Sequence, residues 1–203
     1  MRVRNLIFDV GGVLLDWSPA RILERYYADA GERATMQAAI FLHADWLALD
    51  QGLITEPELL ERVERRAGRP VPELGNLFQH VRESLLPKHD SVALLQTLAA
   101  RRVPLYCLSN MPVNAYAYLR ERYDFWRYFD GIVISGEVRM VKPQPEIFQY
   151  LLQRHGLAAS ETVFIDDHVP NVQAAGTLGL HTVLFANARQ CEQALAAHLS
   201  WLP

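Results

Sequence analysis

Five short apolar runs recur along the chain, at about residues 3–9, 103–108, 131–134, 162–166 and 180–185. They are continuous rather than alternating. A strand with one wet face alternates, whereas a continuous apolar run marks a strand covered on both faces, as in a parallel sheet between two helical layers. Helical stripes separate the runs. Ile147, Phe148, Leu151 and Leu152 form one, and Cys191, Leu195 and Leu199 form another at i, i+4 and i+8. Strands alternating with helices imply right-handed βαβ units and an α/β fold with a Rossmann-like parallel sheet.

Residues 16 to about 87 interrupt this alternation. They carry no strand signal and several helical ones. Ser18-Pro19 reads as an N-cap with proline at the first helical position. Thr55-Glu56-Pro57-Glu58 fits a capping box. The helix it opens has Leu59, Val63 and Ala67 on one face and the pairs Glu58/Arg62 and Glu61/Arg65 on its wet side. The expected organisation is a discontinuous core, residues 1–15 and 88–203, with a helical subdomain at 16–87. The connections are expected near Asp16-Trp17-Ser18 and Leu86-Pro87-Lys88. The tryptophan-containing tail, ending Trp201-Leu202-Pro203, reads as packing.

Composition excludes several classes of partner. Half of the 203 residues are hydrophobic, enough for a sizeable core. A net charge of −3 with interspersed signs carries no footprint for nucleic acid or an anionic membrane. Cys107 and Cys191 have no metal-type spacing and read as reduced thiols of a cytoplasmic protein. Asp9 breaks the first apolar stretch too early for a signal peptide, and no run approaches the ~20 residues of a membrane span.

The chemistry gathers where the runs end. Leu6-Ile7-Phe8 leads to Asp9 and the glycines of Val10-Gly11-Gly12-Val13. Glycines there permit a tight turn and offer N–H groups to an anion. Leu105-Tyr106-Cys107-Leu108 leads to Ser109-Asn110, a hydroxyl and an amide. Thr162-Val163-Phe164-Ile165 leads to Asp166-Asp167. Adjacent carboxylates at a buried strand end repel unless a cation joins them, and hard oxygen donors favour Mg²⁺. Gly136 to Val141 leads to Lys142-Pro143, a positive charge expected at the same sheet edge. Together these residues suit phosphoryl transfer, which needs positioning and charge stabilisation above all. Each alone reads equally as a turn, an N-cap or a solvated charge.

These four segments, in the chain order Asp9, Ser109-Asn110, Lys142-Pro143 and Asp166-Asp167, resemble the motifs of the haloacid dehalogenase superfamily over nearly the whole chain. The insert resembles the small helical cap of one subfamily. Within it Trp46 to Thr55 resembles a segment found in relatives of bacterial α-D-glucose-1-phosphate phosphatase. The resemblance implies a Mg²⁺-dependent phosphatase of small phosphorylated metabolites, with sugar phosphates favoured. It implies that Asp9 is the nucleophile, that Asp9, the Gly11 carbonyl and Asp167 hold the metal, and that Asp166 supports them. Gly11, Gly12, Ser109, Asn110 and Lys142 would bind the phosphate, Lys142 also aiding catalysis. The usual motif is Asp-x-Asp, its second aspartate protonating the leaving group; here Gly11 stands in that position. Asp16 and His168 are the sequence-adjacent candidates for the missing acid, and Trp17, Arg21, His43, Asp45, Trp46 and Gln51 are candidate cap contacts. A 2-haloacid dehalogenase, or a phosphate- or partner-binding module without catalysis, are the other readings.

Overall fold

The computed structural model describes residues 3–197. Leu199 and the Trp201 tail lie outside them. The five apolar runs form five parallel strands: β1 (Asn5–Phe8), β2 (Leu105–Ser109), β3 (Gly131–Ile134), β4 (Thr162–Asp166) and β5 (His181–Leu184). Their order in the sheet is β3-β2-β1-β4-β5. Leu6 of β1 faces Leu105 on one side and Val163 on the other, so the central strand is paired along both edges.

The described helices are α1 (Pro19–Leu23), α2 (Ala30–Ile40), α3 (Ala44–Asp50), α4 (Glu56–Ala67), α5 (Leu77–Ser84), α6 (His89–Ala100), α7 (Val113–Arg122), α8 (Ser135–Val138), α9 (Pro145–His155), α10 (Val169–Thr177) and α11 (Ala188–Ala196). Successive strand residues feed opposite faces. Leu6, Phe8, Cys107 and Ile165 pack with Leu94 and Leu98 of α6, Leu119 of α7 and Leu195 of α11. Ile7, Tyr106, Leu108 and Phe164 pack on the other face with Ile147, Phe148 and Leu151 of α9. This two-sided burial is the reason the strands read as unbroken apolar runs. None of the described helices is long and apolar enough to cross a membrane.

Helices α1 to α5 enclose a hydrophobic cluster of their own, including Ile22, Ile40, Leu59, Leu74 and Leu77. Ser18 caps α1 with Pro19 at its start, and the Thr55–Glu58 box caps α4. Two details of α4 differ from expectation. Ala67 is exposed, because Gly68 ends the helix there with a φ of 65° and the buried face stops at Val63. Arg62 leaves Glu58, whose carboxylate is held by Thr55, and binds Asp45 of α3 instead.

A third difference concerns Lys142. The segment before it is not a strand: α8 is one helical turn, and Arg139 follows it in the left-handed region at φ 56°. Lys142 therefore reaches the sheet edge from a loop.

Candidate active site

Strand order reverses direction at β1, with β2 and β3 on one side and β4 and β5 on the other. The crevice beyond the carboxyl ends of the strands at such a switch is where open α/β sheets bind ligands. Asp9, Ser109 and Asp166 sit at the carboxyl ends of the three middle strands.

Lys142 lies buried among them. Its ammonium contacts Asp9 Oδ1 at 2.8 Å and Asp166 Oδ2 at 2.7 Å, and donates to the Leu108 carbonyl at 3.0 Å. All three N–H donors are used. Burial alone would lower its pKa, but the two carboxylates outweigh burial and hold it above the usual value, so it is charged. Asp166 is fully buried and accepts further bonds from His168 N at 2.8 Å and from Asn171 Nδ2 at 3.1 and 3.0 Å. Its oxygens are thus saturated by protein, and it anchors Lys142 rather than facing a ligand.

Asp9 accepts from Val10 N at 2.7 Å through the same Oδ1 that meets Lys142. Burial, tempered by Lys142 and reinforced by Asp166, pushes its carboxyl up to about 7. Asp167 is more open, yet partial burial and then Asp166 raise it too. One oxygen each from Asp9, Asp166 and Asp167 converge within 4.8 Å of one another. Three carboxylates against one ammonium leave a deficit of positive charge, and the donors are all hard oxygens. With Asp166 committed to Lys142, Asp9 and Asp167 are the pair that fits a divalent cation such as Mg²⁺. Gly12 makes this approach possible: its φ is 76°, and a Cβ there would sit 2.0 Å from Asp167 Oδ2. Gly11 lines the same cavity without such crowding, since an added Cβ would meet only Trp17 at 3.8 Å and beyond.

Ser109 lines the cavity beside Lys142. Asn110 is turned toward the lysine's main chain: its Oδ1 accepts from Lys142 N and its Nδ2 donates to Lys142 O, both at 2.9 Å. The amide therefore fixes the loop that delivers the ammonium.

The candidate residues of the insert divide. Trp17 and Trp46 line the cavity. His43 caps α3, Asp45 binds Arg62 and Arg66, and Gln51 donates to the Arg139 carbonyl at 2.8 Å, so these three serve the architecture. Arg21 and Asp16 are outside the lining, while His168 is within it.

Asp50 was not singled out by sequence reasoning. It ends α3, is 7% exposed, and lines the cavity with Asp9 and Lys142. Burial, then repulsion from Asp9, push its carboxyl up to about 8 against the pull of Lys142, with no hydrogen bond to lower it. The available signal was an acid two residues before Gly52 in the Trp46–Thr55 segment. Gly52 has a φ of 71°, and a Cβ there would lie 3.0 Å from the Gly136 carbonyl. That close approach seats the end of α3 on the core.

A parallel sheet with an acidic, lysine-braced crevice at its switch point defines an α/β fold with its candidate site at the strand ends. Residues 3–179 match the haloacid dehalogenase-like hydrolase family, and the chain belongs to it. It is 32% identical over 178 residues to the sesquiterpene phosphatase AstK of Aspergillus oryzae, covering 86% of this chain and 87% of that protein. It is 25% identical to a D-ribitol-5-phosphate phosphatase of Bacteroides thetaiotaomicron, covering 98% and 99%. Among solved structures it resembles the HAD family enzyme BT-2542 of Bacteroides thetaiotaomicron in complex with magnesium and inorganic phosphate. That match has a TM-score of 0.66 and 27% identity, covering 89% of this chain and 93% of that one.

Proposed function

We propose that this hydrolase is a Mg²⁺-dependent phosphatase of small phosphomonoesters, working through an aspartyl-phosphate on Asp9. The observation that carries this reading is the convergence of Asp9, Asp166 and Asp167 oxygens beside the buried Lys142 ammonium. Relatives named as phosphatases, and a structural neighbour holding magnesium and phosphate, support it. A dehalogenase needs no cation, so the three-carboxylate cluster favours the phosphatase over that alternative. The relatives named as phosphatases favour catalysis over a mere binding module.

In this reading a carboxylate oxygen of Asp9 bonds to phosphorus as the ester P–O bond breaks. Ser109 and the N–H groups around Gly11 and Gly12 hold the phosphoryl oxygens, and Lys142 turns toward them the donor that otherwise meets Asp9. Asp9, the Gly11 carbonyl and Asp167 would hold Mg²⁺, which when bound neutralises charge on the phosphoryl group. Asp166 and Asn110 keep Lys142 in position. Asp50 gives the departing alkoxide the proton that a glycine at position 11 cannot supply. Water then attacks the aspartyl-phosphate, Asp50 takes a proton from it, and phosphate leaves with Asp9 restored.

Residues 16–87 act as a cap over this chemistry, with 1–15 and 88–203 as the catalytic core. The two connections lie side by side: Asp16 N donates to Leu86 O, and Lys88 N to Leu14 O, each at 2.8 Å. Such a paired linker suits a cap that closes to exclude water and opens to admit it. Phosphate release from p-nitrophenyl phosphate, with Mg²⁺ and with excess EDTA, tests the reading. Activity that survives in Asp9→Asn would overturn it, because the amide is isosteric but is not a nucleophile toward phosphorus.

A further inference from the structure

Granted the phosphatase reading, we infer that the substrate is the phosphate ester of an apolar alcohol, a long alkyl or isoprenoid chain, rather than of a sugar or polyol. A cavity of about 380 Å³ runs from Asp9 and Lys142 out between cap and core. That is the size of a small-molecule site. Its polarity is segregated. The polar core side chains in the lining, Asp9, Ser109, Asn110, Lys142, Asp167, His168 and Asn171, belong to the strand ends, the loops after them and the start of α10, where the phosphate would sit. Two of these are already committed: Asn110 to the Lys142 main chain and Asn171 to Asp166.

The rest of the cavity is apolar. Trp17, Phe41 and Trp46 form one wall, with Phe41 and Trp46 centroids 4.5 Å apart and each indole in contact with its neighbours. Met111, Ala115 and Leu119 line it from the core. The cap contributes one polar side chain, the Asp50 carboxyl, and otherwise only the indole N–H groups. His43, Asp45 and Gln51, the other polar candidates of the insert, are engaged elsewhere. At the rim Leu42 is 73% exposed, an apolar side chain left in water beside the cavity. A sugar would bring several hydroxyls against walls with almost no partners, each unpaired one weakening binding about tenfold. A hydrocarbon chain would strip water from the same walls at a gain.

The experiment is kcat/KM for a series of n-alkyl phosphates from butyl to octyl, with ribose 5-phosphate and p-nitrophenyl phosphate alongside. Leaving-group pKa is nearly constant along the series, so chain length reads the cavity rather than the chemistry. The expected result is a rise of about three- to fourfold per methylene, with octyl phosphate well above ribose 5-phosphate. n-Alkylphosphonates, which are not hydrolysed, should inhibit competitively with Ki falling in the same steps. A flat series, or ribose 5-phosphate exceeding octyl phosphate, would overturn the inference while leaving the phosphatase intact. Absence of hydrolysis even of p-nitrophenyl phosphate would instead remove the phosphatase reading itself.

Discussion

Ser135, at the start of α8, holds Asp50, at the end of α3. Its buried hydroxyl donates to the Asp50 carbonyl at 2.6 Å and accepts from Met111 N at 2.9 Å. One atom thereby ties the end of α3 to both β3 and the loop after β2. Ser135→Ala leaves a buried carbonyl and a buried N–H unpaired, a loss of about 1–3 kcal/mol. Thermal melts should show that loss. Turnover of alkyl phosphates should fall further than turnover of p-nitrophenyl phosphate, since the variant loosens the proton donor and not the nucleophile. Equal falls for both substrates would separate Ser135 from the Asp50 carboxyl.

Asp50→Asn tests the donor directly. General acid catalysis is worth about 10²–10⁴-fold, and a nitrophenolate needs little of it. Alkyl phosphate turnover should therefore drop by about that factor while p-nitrophenyl phosphate turnover changes far less. The variant should also steepen the dependence of rate on leaving-group pKa, measured where the first chemical step limits turnover. An unchanged slope would show that Asp50 does not donate.

Gly11→Asp should rescue the Asp50→Asn enzyme. An added Cβ at Gly11 meets ordinary contacts, the nearest at 3.8 Å, so the backbone there accepts a side chain without a clash at Cβ. It would supply a second carboxyl on the core side of the leaving oxygen. Partial recovery of alkyl phosphate turnover, without a matching gain for p-nitrophenyl phosphate, is the expected outcome. No recovery in a folded double variant would mean that the two positions do not serve one proton.

The strands were legible because burial on both faces writes itself as an unbroken apolar run, and the caps at Ser18 and Thr55 because their chemistry is local. Asp9, Ser109 and Asp166 could be read for the same reason: each directly follows or ends such a run. Lys142 could be read as a residue but not as a strand end, because one helical turn and a left-handed Arg139 intervene. Asn110 was read as a phosphate ligand, whereas its amide faces the main chain of a residue 32 positions away. Asp50 was invisible as chemistry. Its burial depends on Ser135, 85 positions distant, and on the approach of Gly52 to Gly136. No local pattern encodes a contact between two units that fold around separate cores.

Removing the cation should stop turnover. Without it Asp9, Asp166, Asp167 and a phosphate dianion crowd negative charge around a single ammonium. Excess EDTA should abolish phosphate release, and added Mg²⁺ should restore it. Asp167→Asn should raise the Mg²⁺ concentration needed for half activity, read from a titration at saturating substrate. Full phosphate release in EDTA would defeat the metal assignment.

The cap should loosen in acid through Asp45. Its Oδ1 meets Arg62 at 2.8 Å, its Oδ2 meets Arg66, and Arg66 also donates to the Ala39 carbonyl at 2.7 Å, so one carboxylate joins α3, α4 and the end of α2. Burial alone would raise its pKa, but the hydrogen bonds from Arg62 and Arg66 outweigh burial and hold it below the usual carboxylate range. A depressed folded-state pKa stabilises above the unfolded value, about 3.9. That contribution is complete at neutral pH and is lost as pH falls below about 4 toward the folded value. Asp45→Asn should therefore cost about 1–3 kcal/mol at pH 7, discounted for the partly exposed arginines. As pH falls below about 4 the two proteins should draw together in melting temperature. A gap between wild type and variant that stays the same at both pH values would mean that the carboxylate's charge contributes nothing and that shape alone holds the cap helices together.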